Sequence, residues 1–167
     1  MKTEISGFKA WLQKATNDRL IFKTYEEYCI VCDGYMAFKI NFKLKEYLDV
    51  IKQYTFQDLS KDFDIKRREI SYNSLIELQD IFKHEYDCIE TQLYIPIRGK
   101  KAKAQIFMLK EVHVFLSEDY TKYINTLNYK CYGSSNTSPI IFESEYVDCC
   151  ILPISFANFM YSIRKLD

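Results

Sequence analysis

The sequence predicts an α+β fold of antiparallel sheets with packed helices, organised as one domain over residues 1–167. Three observations carry this. The chain is long enough to close one hydrophobic core, and 48% of its residues are hydrophobic. Fourteen Tyr and twelve Phe favour strands. Helical periodicity comes in short stretches, each followed by β-rich runs punctuated by turn residues.

Phe8, Trp11, Leu12 and Ala15 recur at i, i+3, i+4, i+7, which predicts a first helix with Ser6 as its N-cap. Residues 20–24 and 28–32 are β-rich and are joined by the polar Tyr25-Glu26-Glu27. Asp33-Gly34 then predicts a type I′ hairpin, whose two central residues need positive φ. Met36, Phe38, Ile40 and Phe42 alternate with less apolar neighbours, as in a half-buried strand. Leu44, Tyr47, Leu48 and Ile51 share one face of a second helix. Residues 54–69 give no clear element: Thr55-x-x-Asp58 has capping-box spacing, and 64–69 is highly charged.

A third helix is expected from Ser71, with Leu75, Leu78 and Phe82 inward. Strands follow at about 89–97 and 102–109 around Arg98-Gly99-Lys100-Lys101, and at 112–116. Ser117 is placed to cap a fourth helix carrying Tyr120, Tyr123, Ile124 and Leu127. Strands at 129–132, 139–144 and 147–154 come next, separated by turns at 133–138 and Glu145-Tyr146. Phe156, Phe159, Met160 and Ile163 outline a last helix opening at Ser155. The order of helix then antiparallel strands near both ends suggests pseudo-repeats of about 1–70 and 71–154, with an extra C-terminal helix over 155–167.

Charge narrows the function. Twenty-three basic residues balance twenty-three acidic ones, so attraction to nucleic acid can come only from a local patch. The stretch 1–14 lacks the apolar segment of a secretory signal, and no apolar run reaches membrane-spanning length. A cytoplasmic protein without a membrane partner is expected. Its six cysteines, Cys29, Cys32, Cys88, Cys131, Cys149 and Cys150, are then expected to be reduced and packed as small hydrophobes.

Signatures of catalysis are missing, so binding is expected instead. Cys29 and Cys32 have CxxC spacing but fall in a strand, where residues three apart point to opposite faces and cannot readily share a metal. Cys149-Cys150 alternates faces in the same way. His84 is expected at a helix C-terminus and His113 on the exposed face of a strand. Four scattered Gly cannot build a phosphate loop. No catalytic residue, cofactor or metal ligand is assigned. Arg98, Lys100, Lys101 and Lys103 on a hairpin tip are the candidate DNA phosphate contacts, with a second basic cluster at Lys66, Arg67 and Arg68. The rival enzyme reading would need a Cys or His site assembled in space.

The run Pro139-Ile-Ile-Phe-Glu-Ser-Glu-Tyr-Val-Asp-Cys-Cys-Ile-Leu-Pro-Ile154 resembles the C-terminal hairpin of bacterial sliding clamps, the β subunit of DNA polymerase III. Leu152-Pro153-Ile154 stands where that family closes its last strand, and the strand–helix order of 112–127 matches what precedes the hairpin. Cys32-Asp33-Gly34-Tyr35-Met36-Ala37 is similar to the clamp pattern Thr-Asp-Gly-x-Arg-Leu-Ala, with Met36 in place of the Arg. The resemblance implies a duplicated helix-plus-sheet domain and a non-catalytic binding module associated with DNA replication. It makes Leu152, Pro153, Ile154 and Phe156 the candidate partner-binding residues, with the last helix next to that pocket. The bore-lining helices of clamps are basic, whereas 71–85 and 117–127 are mixed in charge. A protein partner, a replication or host factor, is therefore expected ahead of a duplex, along with self-association. The alternative is a phage or mobile-element interaction or inhibitory factor that keeps the fold alone.

Overall fold

The computed structural model describes residues 4–72 and 76–154. They form a mixed α+β structure with one antiparallel sheet. Helix α1 (Glu4–Asn17) leads into β1 (Arg19–Thr24), β2 (Tyr28–Cys32) and β3 (Met36–Asn41), followed by α2 (Lys45–Thr55), β4 (Phe63–Lys66) and β5 (Glu69–Ser71). A 3-10 turn at Gln79–Phe82 precedes β6 (Tyr86–Pro96), β7 (Lys103–Leu109) and β8 (Val112–Ser117). The one-turn α3 (Glu118–Thr121) precedes β9 (Tyr129–Gly133), β10 (Ile140–Ser144) and β11 (Asp148–Ile151). The sheet order is β5-β4-β1-β2-β3-β11-β10-β9-β6-β7-β8.

Period-2 alternation sorts the strand residues between two faces. Leu20, Phe22, Val31, Phe38, Phe63, Phe107, Val114 and Phe142 face the helices and join Phe8, Trp11, Leu12, Tyr47 and Ile51 in the main core. Ile21, Ile30, Cys32, Ala37, Ile141 and Cys150 point to the opposite, outer face. There Leu78, Ile81 and Phe82 cover them as the chain crosses from β5 toward β6. Cys29 and Cys32 fall on opposite faces, as do Cys149 and Cys150.

The sheet is strongly rolled. The Leu152 amide donates to the Tyr35 carbonyl, and the Ile154 amide donates to the Phe115 carbonyl, each at 2.8 Å. Tyr35 leads into β3 and Phe115 lies on β8, six strand spacings away in the sheet order. A flat sheet would hold them about 29 Å apart, but the two-residue step from Leu152 to Ile154 reaches only about 7 Å. The strands from β3 to β8 therefore curl until the chain after β11 stitches their ends together. Helix α1 packs inside the roll so closely that a Cβ on Gly7 would stand 1.9 Å from the Tyr123 carbonyl oxygen.

Several expectations need correction. Ser6 lies within α1 and does not cap it. The third helix is absent among the described residues: β5 ends at Ser71, and only the 3-10 turn follows. Residues 73–75, including Leu75, lie outside the described residues. The fourth helix stops after one turn; Ser117 does cap it, accepting from the Asp119 amide at 3.2 Å. Thr55 starts no helix. It closes α2, its hydroxyl donating to the Ile51 carbonyl at 2.7 Å, and Phe56 follows in the left-handed C-cap conformation. Residues 54–69, left without an element, contain strand β4. The hairpin turn has Gly34 and Tyr35 at its centre, with positive φ at Gly34 alone, so it is not type I′. Asp33 precedes it and accepts from the amides of Tyr35 and Met36, both at 2.8 Å.

Candidate functional site

The outer face carries an apolar groove of about 250 Å³ beside the β2–β3 turn. Strand alternation supplies its floor, because Ile21, Cys32, Ala37 and Cys150 all point outward. The chain crossing from β5 adds Ile76 and Leu78, and the stretch after β11 adds Leu152. Tyr35, Ile76 and Leu152 form an exposed apolar rim, with 60%, 39% and 41% of their surface accessible. Exposed large side chains gathered around a groove mark an interaction surface.

One charged side chain enters this groove. Arg19, first residue of β1, lines it, and its Nε is buried without a hydrogen-bond partner among the described residues. Arg19 thus puts one cationic residue on the lining of an otherwise apolar groove. The thiol on the floor is not a ready nucleophile: burial pushes Cys32 up to about 11.

Of the candidate partner-binding residues, Leu152 lines this groove. Pro153 is half-buried, and Ile154 turns away to pack near Ile97 and Ala104 on the far side of the stitch. Phe156 and the expected last helix lie outside the described residues. Arg19, Tyr35 and Ile76 were not singled out from the sequence. The sheet register brings Arg19 to this site, and no local pattern marks it.

Comparison with family models, with curated proteins and with solved structures gives no match.

Arg98, Lys100, Lys101 and Lys103 are exposed at the β6–β7 hairpin, with Gly99 in the positive-φ region at its tip. Acidic groups adjoin them. The Lys103 amide donates to Glu118 at 2.9 Å, and Lys101 shares a shallow cavity of about 380 Å³ with Glu118, Asp119 and Lys122. Lys66, Arg67 and Arg68 sit at the β4–β5 turn. Six strands separate the two hairpins, and their turns lie at opposite ends of the sheet, so the clusters do not merge.

His84 stacks on Tyr132 with ring centroids 4.5 Å apart. Its Nδ1 lies 3.2 Å from the Phe82 carbonyl and its Nε2 lies 3.5 Å from Glu143. The residue follows a 3-10 turn, not an α-helix. His113 is exposed on β8 opposite Met108. Among the described residues, no group of three or more His, Cys, Asp or Glu could hold a metal. No helix among them is long and apolar enough to cross a membrane.

Proposed function

We propose that this chain is a non-catalytic binding module whose outer-face groove takes a protein partner's peptide, apolar in character and carrying a carboxylate. The observation that carries this reading is the exposed apolar rim of Tyr35, Ile76 and Leu152 on a groove whose lining includes the cationic Arg19. Apolar side chains seat against the floor, and the carboxylate accepts from the guanidinium. A clamp-like, replication-associated setting draws support from the Pro139–Ile154 resemblance, in which Leu152 stands at the partner-binding end. The interleaved acids at Glu118 and Asp119 favour a protein over a duplex at the basic hairpin.

The test is selection from a displayed peptide library, followed by fluorescence anisotropy with the enriched peptides and with duplex DNA. Apolar-acidic peptides should bind the wild type, and Leu152→Asp or Arg19→Ala should weaken them at least about tenfold. Equal binding by both variants, or tight binding of duplex alone, sinks the reading.

A further inference from the structure

Two cysteines that the groove does not use face each other across the sheet. Cys88 on β6 and Cys131 on β9 are directly opposed in the antiparallel register. Opposed residues of such a pair have Cα atoms about 4.5–5.5 Å apart, inside the range of about 4.4–6.8 Å that a disulfide spans. The Cys131 thiol donates to the Cys88 carbonyl oxygen at 2.9 Å. Both are free thiols here.

Their place in the fold is specific. Strand β6 is held to β9 by three residue pairs, Tyr86–Gly133, Asp87–Tyr132 and Cys88–Cys131, and the cysteines form the last rung. Beyond it β6 leaves β9, its register with β7 shifts between Glu90 and Tyr94, and Gln92 adopts positive φ. A cavity of about 520 Å³ opens at the parting, lined by Cys88, Cys131 and the exposed Ile89. The cavity brings solvent up to these two residues, which are 7% and 9% accessible. The other cysteines lack this arrangement. Cys29 and Cys149 are fully buried and are paired across the sheet with residues other than cysteine, and Cys32 and Cys150 are held apart by Ala37 on the strand between them.

We propose that Cys88 and Cys131 form a reversible cross-strand disulfide when the protein meets a peroxide, fastening the β6–β7–β8 ribbon to the rest of the sheet. Cys88, whose pKa the neighbouring Cys131 lowers, is assigned as the attacking sulfur, while the Cys131 thiol keeps its proton on the Cys88 carbonyl oxygen. The Cys88 thiolate attacks one peroxide oxygen and the O–O bond breaks. The departing hydroxide takes up the proton Cys88 released and leaves as water, with Cys88 now a sulfenic acid. The Cys131 sulfur then attacks the Cys88 sulfur and the S–O bond breaks. The hydroxyl leaves with the Cys131 proton as a second water. Two thiols lose two electrons and two protons, and one hydrogen peroxide becomes two waters.

The full chain is treated with a small excess of hydrogen peroxide, alkylated, digested and mapped by mass spectrometry. The expected product is a peptide joining Cys88 to Cys131, with the protein lighter by about 2 Da and restored by dithiothreitol. Cys131→Ser should yield no cross-link and a dimedone-reactive sulfenic acid at Cys88. Because the wild-type chain alone decides the linkage, a poorly folding variant does not obscure the result. Recovery of both residues as alkylated thiols while another cysteine oxidises, or a disulfide joining either to a different partner, overturns the proposal.

Discussion

The indole N–H of Trp11 donates to a carboxylate oxygen of Asp33 at 2.9 Å, tying α1 to the β2–β3 turn. The other oxygen accepts the amides of Tyr35 and Met36. One side chain thus fixes the turn, the helix above it and the position of Tyr35 on the groove rim. Asp33→Ala strands three donors and should cost about 2–4 kcal/mol. Urea unfolding should show a lower midpoint with little change in slope, and a loss below about 0.5 kcal/mol would rule the account out.

Gly7→Ala should be more damaging than its single methyl suggests. The new Cβ would meet a backbone oxygen of Tyr123, which no rotamer change can relieve. Separating α1 from the stretch after α3 should cost about 3 kcal/mol or more. Thermal melts should show a fall of at least about 10 °C or loss of the cooperative transition. An unchanged melt would show that this approach is not tight.

The β4–β5 hairpin turns on Arg67 and Arg68, both at positive φ. Two-residue turns of this kind prefer Asn-Gly, and left-handed backbone costs an ordinary L-residue about 1–2 kcal/mol. Arg67→Asn with Arg68→Gly keeps the Arg67-position amide that donates to Asp18 at 2.7 Å. The double variant should be more stable by about 1 kcal/mol, read as a higher urea midpoint. Destabilisation would mean that the arginine side chains matter more than the backbone strain.

Asp148 gives the fold a pH dependence. Burial and the neighbouring Glu143 raise its pKa above 3.8, while Lys39 and His84 oppose the shift. A carboxyl whose folded value is raised binds its proton more tightly when folded. Its ionised form therefore penalises the fold above that value, and the penalty disappears as pH falls through it toward the unfolded value. Asp148→Asn should melt higher than wild type at pH 7, with the gap closing through the acidic carboxyl range. A gap that widens on acidification would reverse the assignment.

Much of the strand layout was legible in the sequence because alternation and turn chemistry agreed. Residues 28–32 form β2 as expected, and Tyr25-Glu26-Glu27 and Glu145-Tyr146 connect strands. Strands β4 and β5 were hidden: Phe63 and Ile65 alternate correctly, but their turn carries two arginines where Gly or Asn would signal it. Helical spacing misled at Leu78 and Phe82, which a 3-10 turn lays on the outer face. It misled only partly at Tyr123, Ile124 and Leu127, which are buried as expected without a continuing helix. Leu152, named from the resemblance, lines the groove. Arg19 was not legible, since its burial depends on strand neighbours far away in sequence.

Strand β11 lies in the middle of the sheet, between β3 and β10, yet it leaves the ribosome after the other ten described strands. Until then β3 and β10 each expose an unpaired edge, and the stitch from Leu152 to Ile154 has not been made. Nascent chains stalled before Asp148 should therefore be protease-sensitive and prone to associate through those edges. Among the described strands, the one made last is thus the one that joins the two parts of the sheet.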